Sequence, residues 1–445
     1  MDSPDHLSRI DSESPPGARA GRKGGSDPVL PHSIQDLALP PIFLAELALK
    51  HCFFMDVFTL GELAECLKVS PSIIDKVLDY LKREKYAQVR GPDPLSPVIS
   101  SLSLSHRHSL TDSGKKRAGQ LLEYDAYAGP VPVTLAEYWR QVASQGISLA
   151  GITPEHLQGS FKGLVLSSET LEQLGVAAMS GKPLFLHGPP GTGKTAISHC
   201  LGKIWQDAVL VPYALYVAGQ VIQVLDEMIH VPVPEPTSGT ERADRRWVRC
   251  RRPMVIVGGE LTLDMLDLAY KPNLRYYEAP LQLKANNGVF IVDDFGRQRL
   301  SCQELLNRWI IPLESHQDFL HLRTGQKLAI PFDQFLIFAT NLEPRTLLDD
   351  AFLRRLRSKV KVDYVTRDQF VEIFSRCCEH YQVEFDPNAV EYLLARYYDG
   401  GQHPLTTCHP RDLLEQILDY CRYYQIPPRL TPENLDRACR SYFVT

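Results

Sequence analysis

The feature that most constrains this chain is the loop Gly188-Pro189-Pro190-Gly191-Thr192-Gly193-Lys194-Thr195. The apolar run Leu184-Phe185-Leu186-His187 leads into it, and a helical pattern from Ala196 to Trp205 leads out. This is G-x-x-x-x-G-K-T in a strand-loop-helix setting. Glycines at 188, 191 and 193 let the backbone fold tightly, so that successive N–H groups converge on phosphate oxygens. The N-terminus of the following helix adds partial positive charge. Lys194 is placed to reach the β- and γ-phosphates, and Thr195 to hold Mg2+. The spacing predicts an ATP–Mg2+ site running from Gly188 to Ala196.

A second motif lies about a hundred residues on. Val289-Phe290-Ile291-Val292 is an uninterrupted apolar run, suited to a parallel strand buried on both faces. It ends in Asp293-Asp294. An acid at the C-terminal end of such a strand faces the crevice where open α/β sheets bind ligands. Asp293 is read as the Mg2+-side carboxylate and Asp294 as the group that polarises an attacking water.

Around these motifs the pattern changes along the chain. Met1 to Asp27 is polar and rich in Ser, Pro, Gly and Asp, without the apolar core of a secretory signal. Pro40 to about Tyr127 reads as helices at Phe43–Phe54, from Leu60 (with Thr59 as N-cap) and from Pro71 to Lys85. Two strands follow, at Ala87–Arg90 and about Ser101–Leu110, then a helix from Thr111. That is the winged-helix order. Pro130 to Pro154 reads as a linker with one amphipathic stretch at Leu135–Ala143. From Gly163 strands and helices alternate, the mark of a parallel α/β sheet, and from Arg367 helices dominate.

These residues make the chain resemble AAA+ ATPases, and within them the MoxR-like group, over about residues 147–430. Leu336-Ile337-Phe338-Ala339-Thr340-Asn341 resembles sensor 1, which implies that Asn341 orients the water near the γ-phosphate. A β-hairpin pattern over Asp318–Pro331, with a Thr-Gly turn, is similar to one in MoxR-like proteins. Ala351-Phe352-Leu353-Arg354-Arg355-Leu356 looks like the arginine-finger helix, with Arg355 aligned best and Arg354 in reserve; guanidinium suits the role because it is always charged. His409-Pro410-Arg411-Asp412 resembles sensor 2, implying that Arg411 meets the γ-phosphate from the lid. Gly163-Leu164-Val165 resembles the segment that packs on adenine.

The resemblance implies an α/β P-loop core with a parallel sheet and a C-terminal helical lid, preceded by the winged helix. The expected divisions are a disordered tail at 1–35, the winged helix at 36–128, a linker at 129–150, the ATPase core at 151–365 and the lid at 366–445. It also implies a ring of identical subunits, usually six, acting on a protein partner. Two departures stand out. The second acid is Asp294 where the family carries Glu, and a misplaced carboxylate slows a reaction steeply. The stretch from about Val217 to Asn287, after what reads as the second core strand, is long.

That stretch, matched by the resemblance to an insertion found in MoxR-like proteins, carries an apolar strand-like piece at Met254–Val257 and a basic run: Arg242, Arg245, Arg246, Arg249, Arg251 and Arg252. Its charge suits a pore or nucleic acid, but a solvated face paired with Glu241, Asp244 and Glu260 is preferred. The helix from Pro71 mixes Lys76, Lys82, Arg83 and Lys85 with Asp75, Asp79 and Glu84. Because DNA affinity comes mainly from a net positive surface, protein docking is placed ahead of DNA binding for this module.

Composition closes off other classes. The net charge of −5 gives no general attraction to nucleic acid. No apolar run approaches the ~20 residues that cross a bilayer. The ten cysteines form no CxxC pair, so free thiols in a reducing cytoplasm are expected rather than a zinc site.

Overall fold

The computed structural model describes residues 28–92, 106–147, 151–234, 243–347, 354, 356–401 and 403–443. The N-terminal module runs helix (Pro41–Met55), β1 (Val57–Thr59), helices Leu60–Leu67 and Pro71–Arg83, β2 (Ala87–Pro92), β3 (His106–Leu110) and helix Asp112–Tyr124. Its three strands pair antiparallel in the order β1-β3-β2. The second helix starts where Thr59 and Glu62 close a reciprocal capping box. The third buries Ile73, Ile74, Val77, Leu78 and Leu81, the positions the helical period picked out.

This module is not a bead on a string. Its apolar core continues into Ala214 and Val221, and Phe43 lies 4.4 Å from Tyr216, ring centroid to centroid. Arg245 pairs with Glu65 across the same junction. Part of the expected tail is folded in as well. Val29 bridges Ala243, the Pro28 carbonyl accepts from the Asp244 N–H, and Ser72 Oγ donates to the His32 carbonyl. Residues 1–27 lie outside the described chain.

The expected linker is also structural. β4 (Val133–Thr134) and a helix at Leu135–Ser144 occupy it, with a capping box between Thr134 and Glu137. Tyr138 and Val142 on that helix are buried. β4 is the edge of a second sheet, which also holds β7 (Ala214–Val217), β8 (Gln220–Gln223), β11 (Ala269–Lys271) and β12 (Tyr276–Glu278), in the order β11-β12-β8-β7-β4.

The main sheet is wholly parallel. It contains β5 (Leu184–His187), β10 (Met254–Val257), β13 (Val289–Val292), β16 (Phe335–Thr340) and β17 (Ser358–Lys361), in the order β10-β13-β16-β5-β17. All residues of β13 and β16 are buried, which is why both read as unbroken apolar runs. Met254–Val257 corrects the sequence reading. It is the second core strand, not a piece of an insertion that follows one. The extra structure therefore flanks β10 on both sides. Before it lie β7, β8 and the antiparallel pair β6 (Ala208–Pro212) and β9 (Trp247–Arg251); after it come β11 and β12.

Within the arginine run the expected pairing with Asp244 is present, but the solvated face is corrected at two positions. Arg246 is almost wholly buried and reaches Asp244, Glu137 and the Pro132 carbonyl. Arg252, also buried, grips Asp207 and the carbonyls of Gln145 and Asn287. Glu260 instead accepts from the Gly258 N–H. These two arginines fasten the extra sheets to the core rather than forming a solvated face. Arg242 and Glu241 lie outside the described residues.

The hairpin expected over Asp318–Pro331 is β14 (Gln317–His321) with β15 (Lys327–Pro331). The C-terminal region is four helices, Arg367–Tyr381, Pro387–Tyr397, His409–Tyr424 and Pro432–Tyr442, around their own core of Phe370, Phe374, Leu393, Leu413 and Leu435. Among the described residues, no helix is long and apolar enough to cross a membrane.

Candidate nucleotide site

The loop sits where β5 hands over to the helix Lys194–Leu201, at the C-terminal edge of the parallel sheet. Gly188 has φ 148°, and a Cβ there would stand 2.0 Å from the Val362 carbonyl oxygen, so only glycine fits beside β17. Gly193, at φ 85°, is the N-cap of the helix. Lys194 Nζ donates to the carbonyls of Gly188 (2.9 Å) and Pro189 (2.6 Å). Burial pulls its pKa down, against the opposing pull of Asp294 and Asp293. An ammonium held this way lies against the loop backbone and is largely shielded from water.

The acids meet it from β13. Thr195 Oγ1 donates to Asp293 Oδ2 at 2.8 Å, bringing a hydroxyl and a carboxylate side by side. Both are hard oxygen donors, and a Mg2+ ion is held by such a pair together with phosphate oxygens and waters. The residues present therefore fit Mg2+ with a nucleoside triphosphate. Asp294 follows with φ 48°, a left-handed conformation that aspartate tolerates better than most residues. Its Oδ1 accepts from Asn341 Nδ2 at 3.3 Å, from the end of β16. Gln298 Nε2 braces this corner by donating to the carbonyls of Asp293 and Asp294.

These groups open onto a cleft of roughly 630 Å3 between core and lid. Gly191 through Ala196, Asp293, Asp294, Asn341 and Arg411 all line it. Arg411 stands on the first turn of its lid helix, and its guanidinium is bound to Asp412 Oδ1 through Nε (2.9 Å) and Nη2 (2.7 Å). Gly163, Leu164 and Val165 line it as well. Arg355 lies outside the described residues; Arg354 is exposed and is not among the cleft's lining residues.

Several lining residues escaped the sequence reading. Ile373, Arg376, Cys377 and His380 come from the first lid helix, and Thr407 and Cys408 from the start of the third. Thr407 Oγ1 donates to the Gly191 carbonyl at 2.8 Å, and the Cys408 N–H reaches the same oxygen, so the lid touches the phosphate loop directly. The signal was present: 373, 376, 377 and 380 share one helical face, flanking the stripe of Phe370, Phe374 and Cys378 that enters the lid core. His409 next door is structural. Its Nδ1 lies 2.9 Å from the Tyr398 hydroxyl, and burial pulls its pKa down to about 4, leaving it neutral. Among the described residues no cluster of three or more acids, histidines or cysteines is arranged to hold a metal.

The family model "Domain of unknown function (DUF8689)" matches residues 366–441, the stretch of the four C-terminal helices. No curated protein matches. Among solved structures, the Thermotoga maritima RuvB Holliday junction branch migration motor is similar at 15% identity, with 65% of this chain and 70% of that one covered and a TM-score of 0.36. A point mutant of the same motor gives 16%, 66%, 72% and 0.36. NtrX from Brucella abortus gives 16%, 64%, 57% and 0.40. At these scores the likenesses carry no weight of their own. What the structure itself shows is a parallel five-stranded α/β core whose glycine-rich loop follows the strand second from one edge, beside a helical C-terminal region.

Proposed function

We propose that this chain is a Mg2+-dependent ATPase that couples ATP binding and hydrolysis to the remodelling or assembly of a protein partner. The observation that supports it best is the convergence of Lys194, Thr195, Asp293, Asp294 and Asn341 within one cleft under a helical lid. Lys194 and the loop N–H groups bind the triphosphate. Thr195 and Asp293 would hold Mg2+, which would supply positive charge against the phosphates. Asp294, positioned by Asn341, orients and polarises the attacking water. Arg411 leaves Asp412 to meet the γ-phosphate as the lid closes.

The work is done in a ring, with Arg355 of one subunit reaching the nucleotide of the next. In this reading, replacing Arg355 with alanine cuts turnover by about a thousandfold, the scale of a lost arginine finger, while ATP still binds. Turnover assays beside equilibrium binding check this. Normal hydrolysis in both the Arg355→Ala and Arg354→Ala proteins removes the shared-site reading.

The N-terminal module is read as a winged helix that docks protein. Its third helix pairs Lys82 with Asp79 and so presents little net charge. Salt-dependent binding of duplex DNA by the whole chain at low ionic strength would overturn that choice.

A slower variant of the same chemistry is favoured by one observation. Asp294 is one methylene shorter than the glutamate its position implies, and its 3.3 Å contact with Asn341 is long for a hydrogen bond. A site built this way turns over slowly and acts as a nucleotide-dependent switch. Asp294→Glu should then raise turnover several-fold at saturating ATP. A fall in turnover shows instead that the site is tuned to aspartate.

A further inference from the structure

The apolar end of the cleft is made by two different bodies. Leu164 and Leu166 come from the chain just before the core, while Ile373, Cys377, His380 and Tyr381 come from the first lid helix. The polar end is centred on the core residues Lys194 and Asp293, with Thr407, Cys408 and Arg411 added from the lid. A nucleotide has the same two-ended character: a charged triphosphate and a flat, weakly polar base. The base end therefore exists only while the lid helix and the 162–166 segment are held together.

One side chain spans that seam. Arg376 Nη1 donates to the Lys162 carbonyl at 3.0 Å and approaches the Leu164 carbonyl at 3.5 Å. Its other terminal nitrogen is held by Glu372 at 2.5 Å, one helical turn back. Glu372 thus aims the guanidinium, and the fork reaches backbone oxygens, which no side-chain change in the partner segment can remove. Tyr381, at the end of the same helix, donates to Glu415 on the third lid helix at 2.6 Å, so the helix that carries Arg376 is braced from behind.

We propose that Arg376 is a positioning residue for the nucleoside: it clasps the 162–164 segment to the lid and so assembles the wall that receives the base. This rests on the nucleotide reading of the cleft and deepens it. Arg376 touches no phosphate-binding group, so its contribution is to the base end alone.

The experiment is calorimetric binding of ATP, ADP and inorganic tripolyphosphate to the full chain and to its Arg376→Ala and Arg376→Lys variants. Loss of a charge-assisted clasp should weaken ATP and ADP by the same factor, about tenfold. Tripolyphosphate, which has no base, should bind all three proteins alike. Lysine keeps the charge and one donor direction but not the fork, and should fall between. Turnover at saturating ATP should be preserved, with the loss confined to KM. Equal ATP affinity in wild type and Arg376→Ala overturns the proposal. So does a parallel loss of tripolyphosphate, since that places the effect on the whole cleft or on folding. Failure of the wild-type chain to bind ATP at all refutes the nucleotide reading itself, a result distinct from either.

Discussion

Replacing Lys194 with alanine is expected to lower ATP turnover by about a hundred- to a thousandfold, the scale seen when one charge-stabilising donor is taken from an active site. The same change should weaken ATP binding while leaving the melting temperature within a few degrees. The reasoning is geometric. Lys194 is buried, yet its three contacts are all to its own loop: the carbonyls of Gly188 and Pro189 and the Thr192 hydroxyl. Beyond the loop its ammonium acts only through space, on the nearby carboxylates of Asp293 and Asp294. Its removal therefore separates binding and catalysis from stability, which a core substitution cannot do. Turnover with calorimetric binding and a thermal melt on the same sample checks it. Retained turnover would mean that the loop is a structural turn and that the function lies elsewhere.

The largest expected effect on stability is at Arg246. Its guanidinium sits between Asp244, itself buried, and Glu137, and also donates to the Pro132 carbonyl. Truncation to alanine leaves the Asp244 carboxylate without its counter-charge in a dry environment. Breaking a buried pair in this way costs about 3–5 kcal/mol. For a unit of this size that lowers Tm by roughly 10 °C. Arg251, from the same basic run but exposed, serves as the control: alanine there should change stability by less than about 0.5 kcal/mol. Differential scanning calorimetry of the two variants reads the contrast. Equal, small shifts would show that Arg246 and Asp244 are not the fastening described.

The site was more legible in the sequence than the architecture around it. The phosphate loop declares itself because its chemistry fixes residue types at fixed spacing, and the flanking strand and helix are local. Asp293 and Asp294 were legible because a fully buried strand writes itself as an apolar run with an abrupt polar end. Met254–Val257 is equally apolar, yet its identity as the second core strand depends on pairing with Val289–Val292 rather than with its neighbours in sequence. Local periodicity carries no such information. The same holds for Val133–Thr134, whose two residues become a strand only because Leu215 and Tyr216 lie beside them. Charge patterning failed at Arg246 and Arg252 for a related reason. Glu137 and Asp207, which permit their burial, stand outside the run.

The order of the main sheet has a consequence for how the chain comes into being. The strand that carries the phosphate loop, β5, has two neighbours, β16 and β17, and both follow it far along the sequence. Synthesis runs from the N-terminus, and a domain folds as a unit once its parts have emerged. When Leu184–His187 leaves the ribosome, it has no sheet to join. The β10 and β13 pair can form earlier, but it borders β5 only through β16. The loop gains its support on one side when Phe335–Thr340 appears, and on the other when Ser358–Lys361 does. Gly188, pressed against the Val362 carbonyl, takes up its position last. A nascent chain halted before that point holds every residue of the phosphate loop and none of its geometry, so nucleotide can neither guide nor rescue the early stages of folding.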